Sequence, residues 1–145
     1  MRLPDELVRP IFDNSLVRGA LVRIEDYPVE PGRNRTKYCI VLNLDCSASE
    51  ILLALATSKV GKFLGAWRHD SVRIAAGLIG DLPRETVVDC RVLRRIRRTE
   101  IFDAFRNLRA TIHAPVPPAV LTEIEAVVRR SRLLSPAEKR IVLGG

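Results

Sequence analysis

Two apolar runs constrain this chain more than any other feature. Residues 37–43 read Lys-Tyr-Cys-Ile-Val-Leu-Asn and residues 50–57 read Glu-Ile-Leu-Leu-Ala-Leu-Ala-Thr, joined by the short polar link 45–49. A strand alternates its side chains between two faces, so an unbroken apolar run with β-branching predicts a strand covered on both sides. The second run, dominated by Leu and Ala, also suits a helix. Its short length and the Ser/Asp-rich turn before it favour a strand, and the two runs together predict a hairpin.

Around this pair the pattern is mostly β, then helical. Residues 1–17 read as an N-terminal arm with a short helical turn, Pro4 at its start and Pro10 ending it. Leu7, Val8, Ile11 and Phe12 are available to cover one edge of the domain. Residues 19–25 predict a strand. Residues 26–36, with Pro28, Pro31 and Gly32, predict a loop carrying Arg33 and Arg35 near its tip. Residues 58–71 predict a connection, 72–76 a weak strand and 77–84 a turn. Residues 85–93 alternate, with Thr86, Val88 and Cys90 on one side and Val87, Asp89 and Arg91 on the other.

The helical region starts at residues 99–110, where Ile101, Phe102, Phe105 and Leu108 recur at helical spacing. Residues 111–116 read as a linker. Pro117 and Pro118 open a second helix with the stripe Val120, Leu121, Ile124, Val127 and Val128. Ser135 and Glu138 have the spacing of a capping box, starting a last short helix to about Val142. The expectation is a single domain over 1–145: an arm (1–17), a small closed β-barrel or sandwich of about five strands (18–98) and about three C-terminal helices (99–145).

Charge points toward a polyanion. The formal net charge is +7, and residues 51–145 hold 17 Lys/Arg against nine Asp/Glu. Such an excess attracts nucleic acid, although a protein that is merely basic has the same composition. Cys39, Cys46 and Cys90 form no CxxC pair, and buried free thiols in a reducing compartment fit them best. His69 and His113 lack metal-ligand spacing, so no metal or other cofactor is expected. With neither a signal peptide nor an apolar run of membrane-spanning length, a cytoplasmic protein off the membrane is expected.

Four segments in series resemble one family. Residues 18–24 are Arg-Gly-Ala-Leu-Val-Arg-Ile, and residues 37–43 are given above. Residues 51–58 end in Ala56-Thr57-Ser58, and Asp81-Leu82-Pro83-Arg84 precedes Thr86-Val87-Val88-Asp89. In order, they resemble the Arg-Gly-Asp-hydrophobic opening strand, the Arg-Pro-hydrophobic-Val-Leu-Ser strand, the Thr-Ser-ending strand and the Asp-Gln-x-Arg-Thr-hydrophobic-Asp segment of PemK/MazF toxins. The resemblance covers residues 18–130. It implies an SH3-like β-barrel, a homodimer, and a sequence-selective, metal-independent endoribonuclease neutralised by a cognate antitoxin. Lys37-Tyr38 stands in place of the family's Arg-Pro, Ala20 in place of Asp and Leu82 in place of Gln. These departures keep a second reading open, a catalytically silent barrel that binds nucleic acid or an antitoxin.

Metal-free RNA cleavage needs a base, an acid for the leaving oxygen, and positive charge for the developing phosphorane. The resemblance assigns catalysis to Lys37, Thr57 and Asp81, with Lys37 supplying charge but not arginine's planar fork. Arg33, Arg35, Ser58 and Lys59 are candidate RNA contacts. So are Arg94, Arg95, Arg97 and Arg98 from the run 91–98, which holds five arginines in eight residues. Each has a structural alternative: a solvated charge for the cations, strand capping for Thr57 and Ser58, and a turn residue for Asp81. Trp67 is the best base-stacking candidate, but a core or dimer-interface anchor is the reading favoured for it. Cys39 reads as core, and His69 as a solvated loop residue.

Overall fold

The computed structural model describes residues 3–30 and 33–145, with the backbone alone for 28–30, 33 and 34. The chain runs α1 (Asp5–Ser15), β1 (Ala20–Glu30), β2 (Arg33–Val41), β3 (Glu50–Thr57), β4 (Ser71–Ile74) and β5 (Thr86–Arg97). It continues through α2 (Arg98–Arg106), β6 (Ala110–Pro115), α3 (Pro118–Arg130) and α4 (Pro136–Leu143). Two 3-10 turns, Gly61–Leu64 and Arg68–Asp70, lie between β3 and β4.

The strands form one six-stranded sheet in the order β4-β5-β3-β2-β1-β6, and every neighbouring pair is antiparallel. The apolar runs lie at its centre and alternate as expected. Ile40, Leu42, Leu52 and Ala54 join a core with Val120, Ile124, Val127 and Val128 of α3 and Val142 of α4. Cys39, Val41, Ile51 and Leu53 join the opposite core with Val8 and Phe12 of α1 and Ile101 and Phe102 of α2. Both faces of the sheet are therefore covered by helices.

This arrangement replaces the expected closed barrel. The sheet is open, with β4 and β6 at its margins. A strand apolar on both faces needs a layer on each side, and helices supply both without curling the sheet shut. The stretch 111–116, expected to be a linker, is most of β6, which pairs with β1 from Ala20↔Pro115 to Ile24↔Ala110. Its Pro and His content hides a strand that sits at a sheet margin, where proline is tolerated. Residues 26–30 and 33–36, expected to be parts of a loop, instead continue β1 and β2, with Tyr27 opposite Arg35, while Pro31 and Gly32 of that expected loop lie outside the described residues. A bulge at Asp26, whose φ is 56°, lets the strand pass through this polar stretch. Pro10 does not end α1 but lies inside it, on the exposed side.

Local contacts account for the resemblance's Arg-Gly pair. Arg18 donates to the Leu42 carbonyl and pairs with Glu125 of α3. Gly19 has φ +85°, and a Cβ there would lie 2.8 Å from Leu121 Cδ1. The backbone must turn left-handed where α3 presses against it, so glycine is required. The capping box at α4 forms as expected, with Ser135 accepting from the Glu138 N–H and the Glu138 carboxylate accepting from the Ser135 N–H.

Asn43 closes the β2–β3 hairpin. Its side chain is buried, donates to the Glu50 and Asp45 carbonyls at 2.9 and 3.2 Å, and accepts from the Leu52 N–H at 2.7 Å. Asn43→Ala strands these buried groups and is expected to cost about 3 kcal/mol. Urea unfolding would show this as a lower midpoint at unchanged slope.

Candidate functional site

β2 and β3 pair through Tyr38↔Ala56, which places Lys37 and Thr57 one step further along, side by side at the strand ends. A groove of about 360 Å³ opens there. Its wall includes Arg35, Lys37, Thr57, Ser58 and Lys59 from the strand ends, and Asp81 and Arg84 from the connection between β4 and β5. The three residues assigned to catalysis therefore line a single groove, with three of the assigned RNA contacts. The side chain of Arg33 lies outside the described residues.

Electrostatics divide this groove into two halves. Burial pushes the Lys37 amine below the usual lysine range, and the nearby charges of Arg35 and Lys59 push it the same way. No hydrogen bond or ion pair holds the side chains of Arg35, Lys37 or Lys59 among the described residues. A bound anion would relieve their mutual repulsion. Thr57 Oγ1 accepts from the Lys59 N–H at 3.1 Å, which sets the turn after β3 and leaves the hydroxyl proton free to donate.

Asp81 belongs to the other half. Its Oδ2 lies 3.4 Å from His113 Nδ1 in β6, and the Tyr38 ring stacks on His113 at 6.3 Å between centroids. His113 Nε2 is buried without a partner. Strand alternation turns Tyr38 and Ala56 toward the α3 side and Lys37 and Thr57 toward the α1–α2 side. The groove spans both sets across the strand ends. Sequence reasoning missed His113 and Tyr38 as site neighbours, because the alternation of Thr111, His113 and Pro115 is visible only once 110–115 is recognised as a strand.

The arginine run separates into different roles. Arg98 donates to Asp13 and to the Cys46 carbonyl and lies 4.9 Å from the Phe12 ring, so it ties α2 to α1 and to the β2–β3 link. Arg95 reaches Glu50 at 3.5 Å, and Arg97 lies opposite Glu50 in the sheet. Arg91 is held by both oxygens of Asp89 and stacks 3.3 Å over Trp67, whose ring also meets Phe63. Trp67 is thus the anchor of the 3-10 segment. Arg94 is exposed and has no ion pair among the described residues; its charge acts on Cys39 and Tyr27. His69 is exposed, as expected.

Cys39 and Cys90 are buried, and burial pushes both thiols up to about 12. Among the described residues no group of three or more His, Cys, Asp or Glu side chains is placed to hold a metal ion, and no helix is long and apolar enough to cross a membrane. No protein-family model matches the chain, and neither does any curated protein.

Two outcomes follow from these environments. The depressed Lys37 amine loses its proton at lower pH than an ordinary lysine, so polyphosphate affinity should fall as pH rises from neutral toward about 10. Calorimetric titration should show that fall largely removed in Lys37→Arg, whose guanidinium stays charged. A disulfide thiol probe should label Cys46 alone in the native protein and all three cysteines after denaturation.

Proposed function

We propose that the groove binds single-stranded RNA and cleaves it without a metal, in the manner of a divergent PemK/MazF-like toxin. The supporting observation is the convergence of Arg35, Lys37, Thr57, Ser58, Lys59 and Asp81 on one groove at the strand ends. Unpaired cations beside a hydroxyl donor suit a phosphodiester, and a carboxylate on the same groove supplies a proton acceptor.

In this reading Asp81 takes the proton of the ribose 2′-hydroxyl. The 2′-oxygen bonds to phosphorus, the bond to the 5′-oxygen breaks, and the products are a 2′,3′-cyclic phosphate and a 5′-hydroxyl. Lys37, with Arg35 and Lys59 beside it, offsets charge on the phosphate oxygens. Thr57 donates a hydrogen bond to one of them, and the leaving oxygen takes a proton from Lys37 or water. A homodimer in the cytoplasm, silenced by an antitoxin whose acidic segment covers the same cations, completes the proposal.

A second reading has its own support. Asp81 is engaged with His113, on the far side of the strand alternation from Lys37 and Thr57. That division favours a module that grips RNA and does not cut it.

Incubating the purified protein with mixed-sequence RNA, with and without chelator, separates the two. Cleavage that survives chelator and falls by about 10²-fold or more in Lys37→Ala, Thr57→Ala and Asp81→Asn is the expected result. Salt-sensitive binding with intact RNA would establish the second reading instead.

A further inference from the structure

A second recess, of about 380 Å³, opens between the β1–β2 hairpin and α2, away from the catalytic candidates. Ile24, Ile96, Ile101 and Ala104 give it apolar walls, and Tyr27 forms one side. The carboxylates of Asp26 and Glu100 also line it, and neither has an ion pair or hydrogen bond among the described residues. Glu25 and Asp103, also in the wall, are engaged by Arg23 and Arg106; Arg95 in the wall reaches Glu50, and Arg109 has no ion pair among the described residues.

The position of Tyr27 links this recess to the cationic half of the groove. Tyr27 lies directly opposite Arg35 across β1 and β2, so the two side chains share a face, with Lys37 two residues along. Arg94 acts electrostatically on both Tyr27 and Cys39, and Cys39 in turn feels Lys37. A row of unpaired cations therefore ends at a half-buried aromatic ring on the lip of an apolar recess. Burial holds the Tyr27 phenol above its ordinary range, so the ring stays neutral.

The geometry points to a nucleobase site: phosphates lie on Arg35, Lys37 and Arg94, and an adjoining base enters the recess against Tyr27. An aromatic face accepts any base; of the free polar groups in the wall, the carboxylates of Asp26 and Glu100 accept hydrogen bonds and the Arg109 guanidinium donates them, to an acceptor such as guanine O6. Guanine fits them best, because its N1–H and N2–H₂ present two adjacent donors to one carboxylate. Adenine and cytosine offer a single amino group on that edge, and uracil a single N3–H. The inference rests on the RNA reading of the groove and adds base preference to it.

The test uses fully 2′-O-methylated pentanucleotides, which lack the attacking hydroxyl, so cleavage plays no part. Fluorescence anisotropy would compare a pentamer containing one guanine with the same pentamer carrying inosine, adenine or uracil at that position. Inosine keeps N1–H and lacks the amino group. The expected result is roughly tenfold tighter binding of the guanine oligomer, lost in Tyr27→Ala and in the double variant Asp26→Asn/Glu100→Gln. Lys37→Ala should weaken all oligomers alike. Equal affinities for all four oligomers, or a preference unchanged in these variants, would overturn the nucleobase site and leave RNA binding intact. No binding by any oligomer at low salt would overturn both. Circular dichroism of each variant confirms that the fold is retained.

Discussion

Burial of the two central strands on both faces is the constraint on which the rest of the structure depends. The apolar stretches Cys39–Val41 of β2 and Ile51–Ala54 of β3 are buried on both faces, so neither can border water. α3 and α4 must pack on one side and α1 and α2 on the other, and the chain spends its two ends and the β5–β6 connection meeting that need. The strand ends that extend past the helices are where polar residues begin, at Lys37 in β2 and Thr57 in β3. The candidate site lies where helical cover stops and the sheet backbone is still rigid, which holds side chains more firmly than a free loop does.

Charge pairing distinguishes structural cations from available ones. Arg18, Arg91, Arg98 and Arg106 each bind a carboxylate, and each also meets a carbonyl or an aromatic ring. Removing any of them would disturb packing before it touched a ligand. Arg35, Lys37, Lys59 and Arg94 have no such duties among the described residues. Net charge alone could not make this distinction, because both groups contribute equally to it.

Much of this was legible in the sequence where local chemistry decided the outcome. The hairpin of β2 and β3, the apolar stripe of α3 and the capping box of α4 each follow from residues within a few positions of one another. The convergence of the 37, 57 and 81 regions was also anticipated, through resemblance. Long-range pairing decided what was missed. β6 is a strand because β1 offers it a partner, and β1 and β2 stay paired beyond the bulge, with Tyr27 opposite Arg35. The helices on both faces left the sheet open where its short strands and turns suggested a barrel. Nothing local in the arginine run shows that Arg98 reaches Asp13, 85 residues away in the sequence.

The contact between Asp81 and His113 has a mechanical meaning beyond the site. Asp81 sits in the connection joining β4 to β5 at one margin of the sheet, while His113 belongs to β6 at the other. Leu82 beside it is buried in the core under α3. An open sheet normally frays from its outermost strands, each independently of the other. Here one side-chain contact brings the two margins within reach of each other, so that displacing either one also changes the surroundings of its opposite.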